Sequence, residues 1–361
     1  MKIGLILSIV ILISSCQLFL GQGPDLSSEG VLYSLWKDFN ETHAYINIRM
    51  DRNTKFQNWE EVYKYYKEKL NKDEIDLFYA CSGMLEELAD PHVGLYAPGG
   101  YFYSLDSSFY TYRQGAAFYS EKNDFISIIR KYLKDDGIML DDDILLYGTF
   151  ISAPNIGYLY ISRFVDPSNA TYSYSWVESV EEIINSFQSN TSAIIVDVRY
   201  NTGGILPIME YIASRLAAKQ VNYLMASTKN GPGPNDFSKP LTFRITPSQN
   251  PYTKPVIILT NKASMSASEW FTYAMRTQSH VRHVGTTTAG AFSIQTTRPM
   301  INGWYYSISS HKVTDLDGYC YEGFGIRPHV EITGKSEDPK WQIHPGNQLE
   351  AVLEWIEKEI K

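Results

Sequence analysis

The chain has 361 residues, a formal net charge of −8 and 44% hydrophobic residues. That length can bury a large core, as one big domain or two ordinary ones. The acidic balance, with no basic stripe, argues against a nucleic-acid partner, and three cysteines are too few for a disulfide scaffold.

Residues 1–16 read as a targeting segment. Lys2 is its only charge, residues 3–13 are almost wholly apolar, and the run is short for a membrane span. It ends Ile13-Ser14-Ser15-Cys16, which resembles the lipobox of bacterial lipoproteins and implies a lipid anchor at Cys16. The competing reading is an ordinary signal peptide cut near Gly21. Either way the mature protein is expected outside the cytoplasm, with residues 17–29 as a polar tether.

Residues 30–95 are expected as a small helical domain. Leu32, Leu35, Trp36 and Phe39 follow i, i+3, i+4, i+7 spacing, and Val62, Tyr63 and Tyr66 do the same over 59–70. A third helix, capped by Asn71 or Asp73, runs through Leu77, Met84, Leu85 and Leu88. It stops at Asp90-Pro91-His92, because proline disfavours the helical conformation in the residue before it. Residues 96–155 form a connecting segment. It holds Pro98-Gly99-Gly100, a helix over 125–133 and an acidic run, 135–143, expected as a solvated turn. It is too short for a PDZ module, and none is expected.

From 156 to 361 the pattern is α/β. Strands are expected at 157–161, 193–198, 256–260 and 283–285, with a β-rich run over 294–308. Helices are expected at 174–187, 206–217, from Ala267 onward, and at 349–360. Residues 231–236 read as a flexible loop.

Three stretches could carry chemistry. In VIILTNKASMSASEWF, residues 256–271, Ser266 falls where a strand stops and a helix begins. A hydroxyl there is held beside the free N–H groups and positive dipole end of the helix, which favour developing negative charge. On this stretch alone a capping box from Ser266 to Glu269 is the better reading, with Ser264 as another cap. In DVRYNTGG, 197–204, paired glycines after a strand let backbone N–H groups face a site. In DGYCYEGFGI, 317–326, Glu322 is a solvated turn residue or a fixed carboxylate. Of seven histidines, His43, His280, His283, His311, His329 and His344 read as structural. His92 follows a helix-breaking proline in a held loop, where function concentrates.

Taken together and in order, DVRYNTGG, LTNKASMSASEWF, GTTTAGAFSIQ and DGYCYEGFGIRP resemble the C-terminal processing, or tail-specific, serine peptidase family, which includes the tricorn protease core and retinoid-binding relatives. ADPHVGL, behind a helical domain, is similar to the family's N-terminal part. The resemblance implies a crotonase/ClpP-like core of mixed sheet and helices. It implies Ser266 as nucleophile and the N–H groups of Gly204 and Ala267 as the oxyanion hole. Many members use a lysine base, but the matching position here is Ala291, so the Ser–Lys dyad is absent. The tricorn-like branch uses histidine and glutamate, which match His92 and Glu322. Where that branch has a serine bridging the two, this chain has Pro91. Glu322 is then expected to reach His92 directly or through a water or hydroxyl, with Ser293 and Thr288 as candidates. Asp90 is a further candidate orienter of His92, but two residues away its side chain is expected rather to brace the loop.

The implied activity is peptide-bond hydrolysis with no metal or organic cofactor, on a peptide or protein substrate, with membrane contact only through Cys16. The alternative is an inactive relative holding a small apolar ligand or peptide, with the tyrosines of 101–119 lining a groove. Cys81 and Cys320 are open to either a disulfide or free thiols.

Overall fold

A computed structural model describes residues 23–103, 116–141, 144–165, 175–333 and 345–359. Cys16 and its leader, most of the tyrosine segment 101–119 and His344 lie outside them.

The frame is a seven-stranded sheet of order β14-β10-β9-β6-β5-β4-β3. Its parallel centre is β5 (Ile156–Ile161), β6 (Ala193–Asp197), β9 (Val256–Thr260), β10 (Val281–Gly285) and β14 (Val330–Glu331); β3 (Ile138–Leu140) and β4 (Leu145–Thr149) run antiparallel at one side. Every residue of β5, β6 and β9 is buried, because helices cover both faces. The alternation of side chains decides which core each one joins. Leu159, Ile194, Val196, Val256 and Ile258 pack towards α6 (Ser175–Asn190), α7 (Leu206–Ser214) and α8 (Ala267–Arg276). Tyr158, Ile195, Ile257 and Leu259 pack towards α5 (Ala116–Arg130) and α9 (Pro345–Glu359).

The N-terminal helices are α1 (Ser28–Thr42), α2 (Ile46–Met50), α3 (Trp59–Asn71) and α4 (Leu77–Glu86). Their core is shared with β1 (Gly94–Ala97) and with Met300, Tyr306 and Ile308 at the hairpin β11–β12 (Gln295–Pro299, Tyr305–Ser309). With β2 (Gly100–Tyr103) these strands form an antiparallel sheet of order β11-β12-β1-β2. The loop carrying His92 therefore lies between helices and a sheet drawn from both ends of the chain.

Several expectations need correcting. α4 is capped by Asp76, whose side chain accepts from Tyr79 N–H; Asp73 instead sits at φ 55° in the preceding turn. The expected tether ends early, since α1 begins at Ser28 with Ser27 as its cap. α5 begins nine residues before the expected 125, because Ala116–Tyr119 carries no outward periodic signal. The acidic run contains strand β3 at the sheet edge. Between α7 and β9 lie two unexpected strands, β7 (Val221–Thr228) and β8 (Leu241–Ile245), which pair with each other, and β7 also pairs with β13 (His311–Thr314).

Candidate active site

The turn after β9 is built around one buried carboxylate. Ser266 adopts φ 55°, ψ −124°, a conformation costing a non-glycine residue on the order of 1–3 kcal/mol. Glu269, fully buried on the first turn of α8, holds it there. One oxygen accepts from Thr288 Oγ1–H at 2.6 Å and Gly290 N–H at 2.7 Å. The other accepts from Ala291 N–H at 2.8 Å and Ser266 N–H at 3.2 Å. Ser266 N–H also reaches Ala291 O at 3.1 Å. Burial pushes the Glu269 carboxyl up, and these four donors pull it back. Ser264 is not the cap of α8; its hydroxyl accepts from Asn261 N–H at 3.1 Å and donates to Val198 O at 2.7 Å, which fastens the turn to the end of β6.

The glycine pair approaches from β6. A Cβ on Gly203 would lie 2.6 Å from Ser266 Cβ, and one on Gly204, at φ 139°, would collide with Phe164 O. Only glycine lets this strand pass so close to the serine. Neither Gly204 N–H nor Ala267 N–H has an acceptor among the described residues. At Ala267 this is the orphan donor of a helix start. Both residues line a cleft of about 890 Å³ with Ser266, His92, Lys122 and Trp270.

His92 is nearly buried. Its N–H donates to Asp90 Oδ1 at 2.9 Å, and its carbonyl accepts from Gln295 Nε2 at 2.9 Å. Asp90 thus braces the loop as expected, but it belongs to a larger cluster. Its Oδ2 is 2.9 Å from His43 Nε2. His43 Nδ1 accepts from Tyr45 N–H at 3.2 Å, so the ring is the Nε2–H tautomer and donates to Asp90. Arg49, on α2, lies 3.8 Å from Asp90 through Nε, donates to Ala89 O at 2.9 Å through Nη1, and to Glu322 Oε1 at 2.5 Å through Nη2.

Glu322 is fully buried rather than solvated. Its second oxygen accepts from Phe292 N–H at 2.7 Å and Ser293 N–H at 3.2 Å. Its partners are thus Arg49 and two backbone groups; His92 is not among them, so the expected direct contact is absent. The expected hydroxyl bridges are absent too. Thr288 Oγ1 is committed to Glu269 and Ile326 N–H, and Ser293 Oγ donates to His311 O at 2.9 Å. The two carboxylates on Arg49 separate in affinity for protons. Burial raises Asp90, but the Arg49 charge and the His43 hydrogen bond outweigh it and hold Asp90 below the usual carboxylate range. Burial, with the Asp90 charge nearby, pushes Glu322 up to about 7 against the pull of Arg49. Cys81 and Cys320 are both free thiols.

The structure therefore brings Ser266, His92, Gly204 and Ala267 to one cleft, and sets Glu322 behind it. Arg49 and His43 are the participants that sequence reasoning missed. Neither lies in a motif, and only the packing of α1 and α2 against the loop brings them in.

Residues 155–332 match the family model for Peptidase family S41. Over 182 residues the chain is 27% identical to the carboxy-terminal processing protease CtpB of Bacillus subtilis (strain 168), covering 50% of this chain and 35% of that protein. It is 33% identical over 175 residues to a probable CtpA-like serine protease of Staphylococcus epidermidis (strain ATCC 12228 / FDA PCI 1200), covering 44% and 34%. The chain thus spans about a third of the length of these curated relatives. The crystal structure of a putative peptidase from Parabacteroides merdae ATCC 43184 superposes with a TM-score of 0.70 at 26% identity, covering 94% of this chain and 100% of that one. Ser266, Gly204 and Glu322 fall inside the family match; His43, Arg49, Asp90 and His92 fall before it.

Proposed function

The chain belongs to Peptidase family S41 through residues 155–332, and from that premise we propose that it is a serine peptidase working outside the cytoplasm. The observation that carries this reading is the shared cleft. Ser266, strained at a helix start, His92 and the open N–H groups of Gly204 and Ala267 all line it. His92 takes the Ser266 proton as Ser266 attacks a peptide carbonyl. The two N–H groups receive the oxyanion, each worth about 2.7–4 kcal/mol of barrier. His92 then returns the proton to the leaving amine, and water repeats the sequence on the acyl-enzyme. The Ala291 methyl, buried beside the Ser266 backbone, accepts no proton, so the base falls to His92. Glu322 keeps residues 292–293 and Arg49 in register behind the histidine. The chemistry needs no metal or organic cofactor. A lipid anchor at Cys16 would hold the enzyme at a membrane surface.

A serine-directed fluorophosphonate, followed by peptide mapping, tests this. The expected result is a single adduct on Ser266, lost in Ser266→Ala and strongly slowed in His92→Ala, with both variants folded by circular dichroism. No adduct on the wild type, or equal labelling of His92→Ala, would sink the mechanism.

A further inference from the structure

We infer that Asp90, rather than Glu322, is the anion that holds and electrostatically supports His92. It acts as a positioning residue through His92, and its bearing on catalysis rests on the peptidase reading above. The geometry separates the two carboxylates. Asp90 is two residues from His92, is fully buried, and receives the His92 backbone N–H at 2.9 Å. Glu322 spends one oxygen on Arg49 and the other on Phe292 and Ser293 N–H groups. The two carboxylates also differ in how directly Arg49 holds them. Its guanidinium hydrogen-bonds Glu322 at 2.5 Å but only stands 3.8 Å from Asp90. Asp90 keeps its other oxygen on His43, which as the Nε2–H tautomer is a neutral donor. Asp90 feels the Arg49 charge without a hydrogen bond to it, and a carboxylate held in that looser way projects more of its charge than one in a tight guanidinium pair.

Among the described residues, the other charged groups lining the cleft with His92 are Lys122 and Arg163, both positive. On the buried side, the titratable groups Tyr45 and Cys320 sit close enough to Glu322 to feel its charge. When His92 accepts a proton from Ser266, Asp90 is the nearby anion that stabilises the imidazolium.

The experiment follows His92 itself. The ring of His92 is titrated by carbon–proton NMR in Ser266→Ala protein, its signal assigned by loss in His92→Gln, with and without Asp90→Asn or Glu322→Gln. The expected result is that Asp90→Asn lowers the His92 midpoint by about one pH unit or more, and that Glu322→Gln moves it by less than half as much. In otherwise wild-type protein the low-pH limb of the fluorophosphonate rate should shift in the same direction, with a lower plateau for Asp90→Asn. A brace with no electrostatic role would lower the rate without moving the midpoint. A larger shift in Glu322→Gln than in Asp90→Asn would also overturn the inference. If Asp90→Asn does not fold, the coupling is read in reverse in the unmodified protein. The Asp90 carboxylate carbon should then show a step at the His92 midpoint that disappears in His92→Gln; no step overturns the inference. Failure of the wild type to label at all would strike the peptidase reading, while the NMR titration would still decide which carboxylate His92 senses.

Discussion

Glu269 and Glu322 are both fully buried carboxylates, one on each side of residues 290–293, and they are satisfied in opposite ways. Glu269 has no cation; four hydrogen-bond donors, three of them backbone N–H groups, neutralise it. Glu322 has a guanidinium at 2.5 Å and shares that cation with Asp90. The first arrangement fixes a backbone shape, the strained serine turn. The second fixes a charge distribution and ties α2 to the His92 loop. Dipoles suit a task that depends on shape. A shared cation suits one in which an anion must stay ionised beside a histidine. The difference predicts how each side should fail.

The largest effect is expected from Gly204→Ala. The added methyl must displace Phe164 O or the glycine turn, and the backbone is left at a φ that L side chains rarely adopt. Loss of a correctly placed oxyanion donor should slow fluorophosphonate labelling on the order of 10²–10³-fold. Labelling within twofold of wild type would show that this N–H takes no part.

Next come the two carboxylate centres, which should separate in their pH response. Arg49→Met leaves Asp90 and Glu322 buried without their cation and should cost about 3–5 kcal/mol in urea unfolding at neutral pH. Glu269→Gln turns an amide donor towards backbone donors and should cost about 1–3 kcal/mol, with Ser266 labelling falling more steeply than stability. If Arg49→Met slowed labelling only in proportion to its loss of stability, the idea that this side governs charge would be weakened.

The pH dependence can be worked out for Glu322. Its carboxyl rises from an ordinary value of 4.5 to about 7 in the fold. Below 4.5 both folded and unfolded chains hold the proton, and the contribution to stability is at its full value. Between 4.5 and about 7 the unfolded chain releases its proton first, so this contribution is lost as pH rises. Asp90 runs the other way: its depressed value contributes stability above its ordinary 3.8, and that is lost on acidification. Urea midpoints from pH 4.5 to 8 should therefore decline more steeply for the wild type than for Glu322→Gln. Parallel curves would remove Glu322 as the titrating group.

The same contrast explains what the sequence discloses. The serine turn is legible because its parts are local or repeat in order. Val256–Thr260 is an apolar β-branched run, Ser266 and Glu269 are three residues apart, and Asn201–Gly204 is a glycine turn after a strand. Even there, the weight of Glu269 is hidden, since three of its four donors come from Thr288, Gly290 and Ala291. The other side depends on contacts between residues 43, 49, 90, 292 and 322, which no periodicity connects. Arg49 in INIRM looks like any helical surface arginine until α2 is packed down on the loop. Strand β7 is hidden for a related reason: its pairing with β13 crosses more than 80 residues of chain, and β8 joins that sheet through β7.

The smallest predicted effect tests whether the N-terminal helices serve the site only through that cluster. Asp76 caps α4, its side chain accepting Tyr79 N–H at 2.9 Å, and it is exposed. Asp76→Ala removes the acceptor from the start of the helix that leads into Asp90-Pro91-His92, and should cost about 1 kcal/mol of stability. α4 is held independently by Ala80, Cys81, Met84 and Leu85 in the shared core, so its far end should not move. The labelling rate of Ser266 and its pH midpoint should therefore stay at wild-type values while the urea midpoint falls. A drop in labelling beyond the loss of stability would mean that the start of α4 is mechanically coupled to His92, and the cluster of His43, Arg49 and Asp90 would no longer account for the loop's position.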